Sequence, residues 1–373
     1  PYLALISLVA FAAGIQNSHN KFSIPAVTPL IFNLSLICSA WLVAPKIEIP
    51  VMALAWGVLL AGFLQLLFQI APLATIKKIP VPKIDFQNPG VKKFFILILP
   101  AIIAGGIAQI NLLVDTIFAS LLITGSPTWL YVSDRLIQFP MGMFAIAIGT
   151  VLLPSLSKAY AKKEIEAFTD QLAHAFKLIF FLAIPSLIGL ILFASPLLAT
   201  IFQRGAFLWI DVQQASLSLI GFAFGLPFFM AMKVLVPAFF SRQNTKTPML
   251  IALLSLLINI SLNYLLAFYF ELGHLGLAIA SSISAIVSVI ILSMILKREG
   301  LISFSGILSA FSLKVLTASV ALIVFLLIFN QHFDFELFTQ AQRLIYLCVA
   351  VIGSIITYFG VSFLLGVRAT DFR

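Results

Sequence analysis

The sequence predicts an all-α polytopic membrane protein of about eleven transmembrane helices. Three observations lead there. Of the 373 residues, 62% are hydrophobic and only 9% charged, whereas a soluble domain averages about 25% charged. The mean hydropathy is +1.14. The apolar residues fall into runs near the ~20 residues that cross a hydrocarbon core as a helix, too long and too uniform for barrel strands. The 36 phenylalanines suit surfaces that face acyl chains.

In chain order the runs are 2–17, 25–44, 51–72, 94–121, 129–153, 171–200, 212–239, 248–270, 274–296, 307–330 and 343–367. The first lacks the basic start and small-residue cleavage site of a signal peptide. The chain begins at Pro1 without a Met, and residues are expected upstream. The second and third runs flank a short turn at Lys46, and the fourth follows the basic pair Lys92–Lys93. The fifth opens on Trp129 and Tyr131, residues that mark a membrane interface. A tight outer turn, "FQRGAF" (202–207), separates the sixth from the seventh, and "SRQNTK" (241–246) separates the seventh from the eighth. The ninth ends on Lys297 and Arg298.

Basic residues set the orientation. Lys21, Lys77, Lys78, Lys83, Lys92, Lys93, Lys158, Lys162, Lys163, Arg242, Lys246, Lys297, Arg298, Arg368 and Arg373 fall in one set of loops, against Lys46, Arg204 and Arg343 in the other. By the positive-inside rule the first set is cytoplasmic, which puts the C-terminus inside. This alternation, aided by anionic lipid, accounts for the formal charge of +9 and argues against nucleic acid. "KKIPVPKIDFQNPGVKK" (77–93) reads as a linker between two bundles. "LSKAYAKKEIEAFTDQL" (156–172) reads as a short amphipathic helix on the inner surface. Cys38 and Cys348 lie in apolar runs and are expected as packing residues.

An internal repeat links "NKFSIPAVTPLIFNLS" (20–35) to "NTKTPMLIALLSLLINIS" (244–261). Each passes from a cytoplasmic Asn and Lys through Pro into a span with Asn-x-Ser. The offset of roughly 225 residues and six spans makes this a parallel repeat. If the second unit starts near Lys93, the first starts about three helices before Pro1.

Charges inside the spans are few, and each costs about 2.5–3.5 kcal/mol at mid-membrane. Asp134 and Arg135 lie about 8–10 Å below the outer interface. Neighbours on a helix point about 100° apart, so each needs its own surroundings. Pro140 is expected to kink this span, and Gly142 and Gly149 to permit bending or close packing. Arg135 suits a pathway for an anionic ligand, since guanidinium matches phosphate oxygens in a fork. The alternative is that Arg135 snorkels outward and Asp134 bonds a neighbouring helix. Asp115, with Asn111 one turn before it, and Asn259 with Asn263, at i and i+4, offer hard oxygen ligands for Na⁺. Interhelical hydrogen bonding explains the same residues at less cost. Lys233 is either a cavity-facing charge or a snorkelling stem, whereas Lys177 and Lys314 sit near cytoplasmic ends and read as snorkels. The four histidines, His19, His174, His274 and His332, are scattered, and no Walker loop or G-x-S-x-G occurs. These absences argue against an enzyme and against an ATP-driven pump.

"DRLIQFPMGMFAIAIGTVLLPSLSK" (134–158), "FQRGAF" (202–207) and "KVLVPAFFSRQNTKTP" (233–248) resemble the MurJ (MviN) family of lipid II flippases. That family belongs to the multidrug/oligosaccharidyl-lipid/polysaccharide exporter superfamily. The resemblance implies a fourteen-helix, two-lobe exporter fold entered here at its fourth helix. Residues 1–76 would be the second half of the N-lobe, 77–93 the linker, 94–300 the six-helix C-lobe, and 301–373 two additional helices that line a lipid groove. It implies residence in the bacterial cytoplasmic membrane, alternating access about a central cationic cavity, and a membrane potential or ion gradient as driving force. The substrate would be lipid II, the undecaprenyl-pyrophosphate-linked peptidoglycan precursor. Membrane lipids and the cell-wall synthesis machinery would be partners. Arg135 matches a cavity arginine that holds pyrophosphate, and Asp134 its acidic neighbour; the other such arginines lie in helices with no position here. Asp115, Asn259 and Asn263 match a Na⁺ site of some members, with Asn263 standing where they can carry a carboxylate. No other cofactor is implied. Two further readings are an exporter of drugs or of another polyprenyl-linked glycan, and a non-transporting scaffold of the wall machinery.

Overall fold

A computed structural model describes residues 1–19, 23–75, 89–302, 310–331, 338–368 and 371. Lys21, Lys77, Lys78, Lys83, Arg373 and His332 lie outside the described residues. Every regular element among those described is helical. Nine helical segments there are long and apolar enough to cross a membrane. The 17-residue helix α1 (Tyr2–Ser18) and the 32-residue helix α4 (Pro89–Ser120) supply the other two of the eleven expected runs. The chain divides into two compact units, Pro1–Phe94 and Phe95–Arg373.

In the first unit, α3 (Pro50–Thr75) packs against both α1 and α2 (Ser23–Cys38). Apolar contact in lipid has no hydrophobic drive, so polar groups and small residues make the contacts specific. Here Gln16 Nε2 donates to Gln69 Oε1 at 3.2 Å, and Gln69 Nε2 to Thr28 Oγ1 at 3.1 Å. Gln65 Nε2 donates to the Thr28 carbonyl at 3.1 Å, and Ser35 Oγ to the Gly57 carbonyl at 2.9 Å. α2 ends in a π-helical segment, Ser39–Val43.

The second unit contains α5 (Ser126–Pro140), α6 (Ala147–Ala161), α7 (Ile165–Leu192) and α8 (Ala194–Phe202). It continues with α9 (Trp209–Phe240), α10 (Lys246–Tyr264), α11 (Gly273–Arg298), α12 (Ala310–Asn330) and α13 (Gln340–Leu364). α9 is its axis, packed against α5, α6, α7, α8 and α11. The contact with α11 depends on Gly221 and Gly225, one turn apart. A Cβ on Gly221 would stand 2.9 Å from the Ala278 Cβ, and one on Gly225 2.5 Å from Ser282 Oγ. Glycine alone permits this approach, and Ser282 Oγ closes it by donating to the Gly221 carbonyl at 2.7 Å. Asp211 opens α9 by accepting from the Leu208 backbone N–H at 2.8 Å, while its other oxygen accepts from Trp129 Nε1 on α5 at 2.8 Å. On the far side α13 starts at a reciprocal Thr339–Gln342 cap and binds α7 through Tyr358 Oη, which donates to the Phe181 carbonyl at 2.7 Å.

The repeat seen in the sequence recurs in the backbone. α10 also ends in a π-helical segment, Leu265–Tyr269. Ser39 and Leu265 are 226 positions apart, as are Asn33 and Asn259, and Ser35 and Ser261.

Several expectations are corrected. The stretch 156–172 is not a separate surface helix. It is the end of α6, a turn with Lys163 at φ 59°, and the start of α7; Leu156, Ala159, Phe168 and Leu172 all enter one core. The run 171–200 breaks at Phe193 into α7 and α8. Pro89–Lys93 of the expected linker forms the first turn of α4. Cys38 and Cys348 project from the bundle and are exposed, so they do not pack within it.

Candidate functional site

α5 begins where Gly125, at φ 105°, turns the chain and Pro127 supplies a preset first helical turn. Its outer half is pinned on two sides. Trp129 is held by Asp211, as above, and its ring lies edge-on to His274, centroids 4.9 Å apart. Ser133 Oγ sits 2.7 Å from the carbonyl oxygens of Trp129 and of Ala215 on α9. His274 is buried, with Nδ1 2.7 Å from Ser218 Oγ and Nε2 2.9 Å from Gln214 Oε1. This polar cluster was not foreseen: His274 had been grouped with scattered histidines. Its one signal in the sequence is a histidine placed just inside the start of a span.

The free face of α5 opens on a cavity of about 650 Å³, lined also by α4, α9 and α11. The cavity collects Asp115, Asp134 and Arg135, which lie on two different helices. Asp134 and Arg135 do not pair. Asp134 Oδ1 accepts from Gln138 Nε2 at 3.3 Å. The Arg135 guanidinium lies over the Tyr131 ring, 4.7 Å from its centroid. Among the described residues Arg135 has no hydrogen bond or ion pair, so its N–H donors are unused.

The Asp115 side of the cavity is a relay of amides. Asn263 Nδ2 donates to Asp115 Oδ1 at 2.7 Å and to Asn259 Oδ1 at 3.0 Å. Asn259 Nδ2 donates in turn to Ser281 Oγ at 3.1 Å. Asn259 and Asn263 are fully buried. With both N–H groups of Asn263 spent, its Oδ1 is left buried without a donor, as is Oδ1 of Asn111 one turn before Asp115. Orphaned amide oxygens beside a carboxylate fit a small hard cation such as Na⁺. No group of three or more His, Cys, Asp or Glu able to hold a metal occurs among the described residues.

Lys233 is exposed and is not among the cavity's lining residues; it lies on α9 one turn past Phe229, which is. Its backbone is the tight contact of α6: a Cβ on Gly149 would stand 2.7 Å from the Lys233 carbonyl oxygen. Pro140 is buried and is followed at once by a π-helical segment, Met141–Ile146. The proline break is thus taken up as one wide turn between α5 and α6. Gly142 lies within it with nothing inside 4 Å of a notional Cβ, so it makes no close packing contact. Pro140 also touches a second, apolar cavity of about 410 Å³ between α7, α12 and α13.

The family model described as lipid II flippase MurJ matches residues 1–347. The chain is 37% identical, over its whole length and 71% of the relative's, to "Probable lipid II flippase MurJ" of Vibrio cholerae. It is 32% identical, over its whole length and 73% of the relative's, to "Lipid II flippase MurJ" of Burkholderia cenocepacia. It also superposes on a solved structure of lipid II flippase MurJ in an inward closed conformation, with a TM-score of 0.73 and 28% identity, covering 96% of this chain and 71% of that one. The multi-pass helical fold, the intramembrane charges and these likenesses across most or all of this chain agree: the chain belongs to the lipid II flippase MurJ family.

Proposed function

We infer that this protein moves lipid II from the inner to the outer leaflet of the bacterial cytoplasmic membrane by alternating access, for cell-wall synthesis. Family membership over the full chain supports the substrate. The observation that carries the site is Arg135, a cation within a span, turned into a 650 Å³ cavity with its donors unused. Guanidinium presents paired N–H groups that match two oxygens of a pyrophosphate, and a dry surround strengthens such charge-assisted bonds. Asp134, held back by Gln138, shapes the field beside it without neutralising it. Lys233, on α9 one turn past the cavity residue Phe229, would offer the anion a second cation outside the cavity, on a different helix from Arg135. Asp115, Asn111 and Asn263 would hold Na⁺, which would supply positive charge beside the only carboxylate of that relay. The apolar groove between α7, α12 and α13 suits a polyprenyl or lipid chain. Function is transport and not catalysis.

The orientation with a cytoplasmic C-terminus follows from charge. Lys158 lies in the last turn of α6 and Lys162 and Lys163 follow it, Arg242 follows α9 and Lys246 begins α10, Lys297 and Arg298 end α11, and Arg368 follows α13. The opposite ends carry Arg204 and Arg343. The wall-synthesis machinery is the natural partner to receive the product.

The test is lipid II translocation in cells depleted of their own flippase and supplied with the full-length protein. Arg135→Ala should abolish flipping at matched expression. Arg135→Lys keeps the charge but loses the fork, and at ~1.5–3 kcal/mol for a lost charge-assisted bond it should slow flipping at least about tenfold. Normal flipping by Arg135→Ala would move the pyrophosphate site elsewhere.

A further inference from the structure

The two charges of α5 are neighbours in sequence yet each is engaged by a residue one turn away. The Arg135 guanidinium lies over the ring of Tyr131, four residues before it, and Asp134 accepts from Gln138, four residues after it. Helical side chains lean toward the N-terminus, so Arg135 naturally reaches back over Tyr131. A cation–π contact attracts the guanidinium charge without offering it a hydrogen-bond acceptor oxygen. A carboxylate partner would instead accept from the N–H donors and spend them. Tyr131, Asp134, Arg135 and Gln138 all line the cavity.

We propose that Tyr131 is a positioning residue for lipid II transport: its ring holds the Arg135 guanidinium without accepting a hydrogen bond from it in the way a carboxylate would, so that the N–H donors are left for the pyrophosphate of the substrate. The inference rests on the reading of Arg135 as the pyrophosphate ligand. Tyr131 itself need not touch substrate; its hydroxyl plays no part, and any aromatic ring of that size serves.

The experiment measures lipid II binding to the purified full-length protein, with undecaprenyl monophosphate as comparison, for Tyr131→Phe, Tyr131→Leu, Tyr131→Met, Arg135→Ala and the double variant Tyr131→Leu with Arg135→Ala. Tyr131→Phe should bind as the parent does. Tyr131→Leu and Tyr131→Met should weaken binding about two- to thirtyfold, which is the ~0.5–2 kcal/mol of a cation–π contact at ~1.4 kcal/mol per tenfold. In the Arg135→Ala background, Tyr131→Leu should add nothing. An equal loss in both backgrounds would make Tyr131 a packing residue and overturn the proposal. So would parental binding by both aliphatic variants while Arg135→Ala is impaired, an outcome that leaves the functional reading standing. If Arg135→Ala binds lipid II normally, the reading itself falls, and the proposal with it. Leu and Met differ in shape, so a folding defect in one does not remove the test.

Discussion

Replacing Asn263 by Asp puts a second carboxylate against the first. The parent arrangement is an amide donating to Asp115 Oδ1 at 2.7 Å and to Asn259 Oδ1 at 3.0 Å. The variant loses both donations and brings two negative charges within about 4 Å, a repulsion of about 4 kcal/mol at an effective dielectric of ~20. Loss of the charge-assisted bond adds roughly 1.5–3 kcal/mol. The variant should therefore be strongly destabilised in a salt whose cation is too large to enter, and sodium should restore much of that stability by binding the folded state. The assay is thermal unfolding of parent and Asn263→Asp in detergent, in sodium chloride and in choline chloride at equal ionic strength and fixed pH. The gap between the two proteins should be wide in choline and narrow in sodium. An equal gap in both salts would refute a cation site at Asp115 and leave the amide relay as interhelical hydrogen bonding alone.

Three other variants test the supports of the cavity. Gly225→Val would force a side chain to within 2.5 Å of Ser282 Oγ and 2.7 Å of the Phe229 ring; it should cost about 1–3 kcal/mol, read as a lower unfolding midpoint, while Gly142→Ala, which meets nothing within 4 Å, should not lower it. Pro140→Ala restores a backbone donor ahead of the wide turn at Met141–Ile146; expression should hold and the initial rate of lipid II translocation should fall, and an unchanged rate would remove the proline from the mechanism.

What could be read from the sequence follows from the range of the interaction that produces each feature. Span number rests on local hydropathy, and among the described residues each of the eleven runs is helical, with 171–200 broken at Phe193. The cavity charges were visible because an ion within a span is costly wherever it lies, and Asp115, Asp134 and Arg135 do converge on one space. Their partners were visible only in part. The family resemblance groups Asp115 with Asn259 and Asn263, and Asn263 meets Asp115 across 148 positions, but nothing in the sequence pairs His274 with Ser218 across 56. The break at Phe193 lies in an unbroken apolar run and arises from packing, with Phe193 buried and stacked on Tyr346 at 6.0 Å. The stretch 156–172 misled for the converse reason: its charges line a turn, and its apolar residues belong to two long helices. The G-x-x-x-G at Gly221 and Gly225 was present as a signal, but only the facing Ala278 and Ser282 show which contact it serves.

The lining of the cavity does not favour an anion by charge count alone. Asp115 and Asp134 are two carboxylates against one guanidinium among its lining residues. Counted alone, that space repels pyrophosphate. The protein acts on this imbalance locally. Gln138 donates to Asp134, and Arg135 lies over the Tyr131 ring with no hydrogen bond among the described residues, so the one cation keeps its donors. Asp115 is left with a relay whose spare groups, the Asn111 and Asn263 oxygens, are acceptors. A further acceptor there cannot relieve a carboxylate; only positive charge can. A cation held at Asp115 would remove one negative charge from the wall of the same cavity, so cation and anionic substrate should each raise the other's affinity by the same factor. With a cation bound at Asp115, the pairing of an acceptor-rich pocket with a donor-rich arginine in one cavity would couple an ion gradient to lipid transport without contact between the two ligands.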